Sequence, residues 1–205
     1  MPARIARRAL VTSAVWLLAA AVWSGAAGPP RPASEPGGYG LHWEVSLGQD
    51  LKAVLTSRGR EGGILLTRAD GSLIKRKDVG EITWVQLFDF DGDGQAEIVT
   101  EQVEGYGTGI LIKSFSVYRA STTGLAQIWT GLSSSHKKLE EPAKSGASAF
   151  EEQRGFLRFD PPGGGRREAT LLHLVEISRP GQAMRTEKHA FRFIDGSFQP
   201  IDGPR

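Results

Sequence analysis

Phe88-Asp-Phe-Asp-Gly-Asp-Gly-Gln-Ala-Glu-Ile-Val99 is an alternating acidic loop set between two strand-like segments. Counting from Asp89, acids fall at the first, third, fifth and ninth positions: Asp89, Asp91, Asp93 and Glu97. Gly94 is sixth, where a loop of oxygen ligands must turn sharply, and Gln95 is seventh, where such loops offer a backbone carbonyl. Between Lys77 and Lys113 there is no Lys or Arg, while eight acids lie inside that stretch. Carboxylates held this close repel one another unless a cation offsets them. A hard cation is therefore expected, with Asp89, Asp91, Asp93, Glu97 and the Gln95 carbonyl as ligands and Ca2+ as the ion.

The flanks decide the fold class. Glu81-Ile-Thr-Trp-Val-Gln-Leu-Phe88 and Ile98-Val-Thr-Glu-Gln-Val103 are rich in β-branched and aromatic residues, which predicts strands. The twelfth loop position is Thr100, so the bidentate Glu of a helix-flanked EF-hand is missing. A calcium loop set between strands and closed by an acid at the ninth position resembles the FG-GAP/VCBS-type repeat of integrin-like β-propellers and secreted bacterial proteins. The resemblance covers about residues 82–130 in a single copy, and it implies the same five ligands. No second DxDGDG occurs in the chain, whereas a complete propeller needs at least four blades, so the resemblance lends a blade-like calcium module.

Other segments follow the same alternation. Residues 41–46, 51–56, 63–68, 110–119, 126–130, 155–159, 168–178 and 185–194 are predicted strands, with hairpin turns at Asp70-Gly71 and Asp195-Gly196. Residues 131–148 are polar and are predicted to form a loop, with room for one helical turn. The expected class is all-β: antiparallel meanders, propeller-blade-like or sandwich, with one inter-strand calcium loop.

At the amino terminus, Arg4, Arg7 and Arg8 precede an uncharged apolar run, Ala9 to Trp23, followed by Ser24-Gly-Ala-Ala27. The run falls short of the roughly 20 residues a membrane span needs. Residues 1–27 are therefore expected to be a signal peptide, leaving a secreted or periplasmic protein with no stable membrane span. Residues 28–40 are expected to be a Pro/Gly-rich linker, 41–200 a single all-β domain, and 201–205 a tail. The 25 Lys and Arg fall to 22 once the three n-region arginines are removed, against 23 acids, a net charge of about −1. Bulk charge then offers no reason to expect nucleic acid. The chain has no Cys, which excludes disulfides and a lipoprotein anchor.

Catalytic patterns are sparse. Ser133-Ser-Ser-His136 lacks a nucleophile elbow. Gly105-Tyr-Gly-Thr-Gly109 precedes a strand and reads as a tight turn beside the calcium loop. His173 and His189 lie on strands expected to pair, where a sheet-face His is ordinarily a satisfied polar residue. Trp43, Trp84 and Trp129 would make a sugar platform only if exposed in a row. No isolated carboxylate in an apolar setting is evident. The expectation is a non-catalytic calcium-binding module for a protein or glycan partner. The alternative is a small secreted hydrolase using carboxylates of the Asp/Glu cluster.

Overall fold

Strict apolar–polar alternation turns nearly every described segment into a strand with one inward face. Between Leu51 and Leu66, Leu51, Ala53, Leu55, Ser57, Ile64 and Leu66 are buried, while the other residues are partly or wholly exposed. The computed structural model describes residues 33–34, 40–48, 50–107, 110–139, 150–162 and 168–201. These form β1 (Ala33–Ser34), β2 (Gly40–Gly48), β3 (Leu51–Arg58), β4 (Glu61–Arg68), β5 (Leu73–Phe88) and β6 (Glu97–Gly107). They continue as β7 (Ile110–Ser121), β8 (Gly124–Lys138), β9 (Phe150–Asp160), β10 (Thr170–Ser178), β11 (Arg185–Ile194) and β12 (Ser197–Pro200). Each strand pairs antiparallel with the next, giving a meander in sequence order. The fold is all-β. No helix among the described residues is long and apolar enough to cross a membrane.

Two layers meet in β5. Its residues 73–80 pair with β4 and residues 81–88 pair with β6, so one continuous strand serves both layers. The hand-over needs backbones to approach closely. A Cβ on Gly62 would stand 2.2 Å from the Gly80 carbonyl oxygen, and one on Gly80 only 2.1 Å from the Val103 oxygen. Ser57 Oγ accepts the Ile82 N–H at 3.0 Å where the layers part. Gly80→Ala should therefore cost about 1–3 kcal/mol or more, because backbone cannot yield as a side chain can. Gly105→Ala, which meets nothing within 4 Å, should stay within about 0.5 kcal/mol. Urea midpoints compare the two; equal midpoints would show that the crossing is loose.

β6 and β7 are buried on both faces. Ile98 and Tyr118 join Trp43, Leu47, Leu55 and Leu66 in one core. Their neighbours Val99 and Val117 point the other way and join Phe88, Phe90, Trp129, Leu171, Phe193 and Phe198 in a second. β2–β4 thus cover one face of the central strands, and β9–β12 curl back over the other.

Several expectations need correction. Residues 131–138 are not a loop: they extend β8 and pair with both β7 and β9. Their polarity misleads because strand pairing uses backbone groups, and Ser133 is buried against Glu101 rather than against apolar side chains. Residues 139 onward contain the remaining part of that expected loop, and 140–149 lie outside the described residues. The turn expected at residues 105–109 does not begin at Gly105, since Gly105 and Gly107 belong to β6 and pair with Ile112 and Ile110 of β7, and 108–109 lie outside the described residues. It also lies at the opposite end of β6 from the acidic loop, roughly 30 Å away at strand rise. The expected linker is described at Ala33–Ser34, which pairs with β2 rather than standing apart. The expected signal segment 1–27 lies outside the described residues.

The hairpin expectations hold. Asp195 and Gly196 both have positive φ, 51° and 78°, as a two-residue turn with matching twist requires. His173 stands opposite His189 in the β10–β11 ladder.

Candidate metal centre

The acidic loop is clamped before any ion is considered. Alternation within Asp89-Phe90-Asp91 sends Phe90 inward, where it is fully buried against Phe88, Phe159, Phe193 and Phe198 at ring distances of 4.5–5.7 Å. The acids on either side are left facing outward. Across the loop, the Ala96 N–H donates to the Leu47 carbonyl at 2.8 Å. Gly48, with φ +85°, lies so close that a Cβ would meet the Gly94 oxygen at 2.2 Å. The β2–β3 corner therefore presses directly on the loop.

Within it the acids organise the backbone. Asp89 Oδ1 accepts from the Gly92 N–H at 2.7 Å and its Oδ2 from Gly94 at 3.0 Å. Asp93 Oδ1 accepts from Gln95 N–H at 2.7 Å, and Asp91 Oδ1 from Asp93 N–H at 3.3 Å. One oxygen from each of Asp89, Asp91 and Asp93 lies within 4.8 Å of the others, so this cluster could hold a metal ion. Gln95 is buried and its side-chain amide donates to the Ala120 carbonyl.

Glu97 departs from its expected setting. It is 1% exposed, with Oε2 accepting the Phe90 N–H at 3.1 Å. Burial is the main influence on its carboxyl and pushes the pKa up to about 7, against the pull of the Phe90 N–H and Arg119. The chain therefore does carry a carboxyl raised by an apolar setting, contrary to the sequence reading. Its inaccessibility makes it a poor general acid, whatever its pKa.

Arg119 is the residue that sequence reasoning missed. Its Nη2 lies 2.8 Å from Asp91 Oδ2 and 3.3 Å from Asp93 Oδ2, and its Nε lies 3.7 Å from Glu97 Oε1. Nothing local to the loop signals it. It arrives because β7 pairs with β6 so that Tyr118 stands opposite Ile98, placing the next residue beside Glu97. The donor set nevertheless fits a hard cation: the Asp89, Asp91 and Asp93 carboxylates cluster, and Glu97 Oε1 makes only a long 3.7 Å contact with Arg119 among the described residues.

His173 is buried and its Nε2–H donates to the Leu132 carbonyl at 2.7 Å, 6.0 Å from the His189 ring between centroids. Burial, with His189 adding to it, holds its pKa below the ordinary value despite that hydrogen bond. Ser133 donates to Glu101, while His136 stacks on Phe150. Burial alone would raise the Glu101 carboxyl, but hydrogen bonds from Ser133, Thr83 and Lys113 outweigh it and hold it low. Trp43 and Trp129 are buried and only Trp84 is half open, so the three make no row. No family model, curated protein or solved structure matches this chain.

Proposed function

We propose that this protein is a non-catalytic, extracytoplasmic β module whose FG-GAP/VCBS-like loop binds one calcium ion for a structural purpose, and whose surface engages a protein or glycan partner. The observation that carries the reading is the convergence of Asp89, Asp91 and Asp93 on a loop already clamped at both ends. Preorganised oxygens of this kind suit an ion that takes six to eight oxygen ligands with tolerant geometry. Bound there, calcium supplies charge neutralisation; Asp89, Asp91, Asp93, Glu97 and the Gln95 carbonyl would hold it. Extracytoplasmic placement rests on residues 1–27.

Affinity should be about 10⁻⁴ to 10⁻³ M, the range of extracellular modules, because no bidentate Glu stands at the twelfth position. At ten times such a Kd the ion adds only about 1.4 kcal/mol. Melting in EDTA and in millimolar calcium should therefore differ by a few degrees. Asp91→Ala should erase the difference, and magnesium should reproduce little of it. Superimposed wild-type curves would end the calcium reading. Calcium-dependent turnover of a model ester or glycoside, lost in Glu97→Gln without loss of fold, would replace it with the hydrolase.

A further inference from the structure

The acids of the loop already have a cation. Arg119 contacts Asp91, Asp93 and Glu97 at once, three of the four acids whose oxygens a metal would collect. A surface arginine in a chance ion pair would keep its guanidinium in water, yet this side chain is 26% exposed. Its Cζ lies 5.5 Å from the Phe193 ring centroid, on the rim of the aromatic core that anchors Phe90. Burial opposes its charge, but the hydrogen bond and charge of Asp91, with Glu97 and Asp93 behind it, hold it firmly protonated. The planar fork reaches several carboxylates together in a way an ammonium cannot.

We infer that Arg119 is the loop's resident cation, taking the place and the charge of a metal so that the loop stays ordered without one, and that it sets the loop's affinity for a divalent ion by competing for the same oxygens. The second half rests on the calcium reading above; the first half does not. A divalent ion gathering these oxygens must displace Arg119 from at least Asp91 and Asp93, or bind within a few ångströms of its positive charge. Both weaken binding. Arg119 is thus a positioning and affinity-setting residue, and its removal should have opposite consequences with and without metal.

The test uses the full chain, with calcium chloride as the probe. Arg119→Met keeps the aliphatic length against Phe193 and deletes the charge. In EDTA, hydrogen exchange across residues 89–97 should quicken at least about tenfold in this variant. Exchange in the β10–β11 hairpin should stay unchanged. Calorimetric titration should show calcium bound at least about tenfold more tightly than by the wild type, and saturating calcium should restore loop protection. Arg119→Lys keeps the charge without the fork, so its loop should exchange faster than wild type while its calcium affinity rises less. If the Met variant fails to fold, the Lys variant decides. A merely supporting arginine would give the contrary result, weaker or unchanged calcium binding on removal, and that overturns the competition. Should neither wild type nor variant bind calcium, the calcium reading fails alone. Faster loop exchange in EDTA would then still support Arg119 as resident cation, and unchanged exchange would overturn it.

Discussion

Phe90→Ala is expected to destabilise the protein by about 3–5 kcal/mol, the cost of deleting a fully buried aromatic ring and leaving a cavity. Phe90 is 0% exposed and touches four other phenyl rings. Such pairs add about 0.5–1.5 kcal/mol each beyond the area they bury. Against a typical total of about 5–15 kcal/mol, this single change removes a large share of the stability. The reason is positional: Phe90 is the side chain by which an otherwise polar loop is fastened to the second core. Denaturant midpoints should fall with the slope little changed. Phe156→Ala on β9, where the ring is 48% exposed, should shift the midpoint far less. A cost for Phe90→Ala below about 1 kcal/mol would mean that the loop is not docked as described.

The second large effect is a pH dependence that runs opposite to ordinary carboxylates. Burial lifts Glu97 from 4.5 to about 7, so between these values the folded chain keeps a proton that the unfolded chain has released. The associated stabilisation is complete below about pH 4.5 and lost as pH rises through about 7, on the order of 3 kcal/mol for a shift of this size. His173 works the other way. Its lowered pKa means stability is lost as pH falls below 6.5, because the unfolded imidazole takes up a proton first. The clean measurement is therefore a difference: in EDTA, stability of wild type minus that of Glu97→Gln, followed from pH 5 to pH 8. It should decline steadily, since Gln cannot ionise. A flat difference would show that Glu97 is solvated and ionised throughout. Millimolar calcium at pH 8 should recover much of the lost stability on the proposed reading, because ligand carboxylates must be deprotonated and the ion then replaces the proton.

Much of this architecture is legible in short windows. Period-two alternation marks the inward faces, as in Leu51, Ala53 and Leu55. Asp195-Gly196 names its own turn, because both positions need positive φ and these residues tolerate it. The pairing of the two long carboxy-terminal strands follows from their lengths and short connection, and it brings His173 opposite His189. The acidic loop is equally local: the alternation that separates Asp89, Asp91 and Asp93 from Phe90 is written in consecutive residues.

Other features depend on partners far away in the chain. Residues 76–81, Arg-Lys-Asp-Val-Gly-Glu, look like a break, yet β5 runs straight through them because β4 on one side and β6 on the other supply backbone hydrogen bonds. Residues 131–138 are polar on every local measure and are strand for the same reason. Glu97 looks like one more exposed acid until the folded chain buries it beside Phe90. Arg119 is invisible from the loop, some two dozen residues away, until the β6–β7 register delivers it to Asp91. The sequence by itself determined most of the strands, the Asp-Gly turns and the alternating acids, since those depend on side-chain period and local φ preference. Only the tertiary structure decided which acid is buried and which cation meets the cluster, because burial and charge pairing are set by cross-strand register and layer packing between residues remote in sequence.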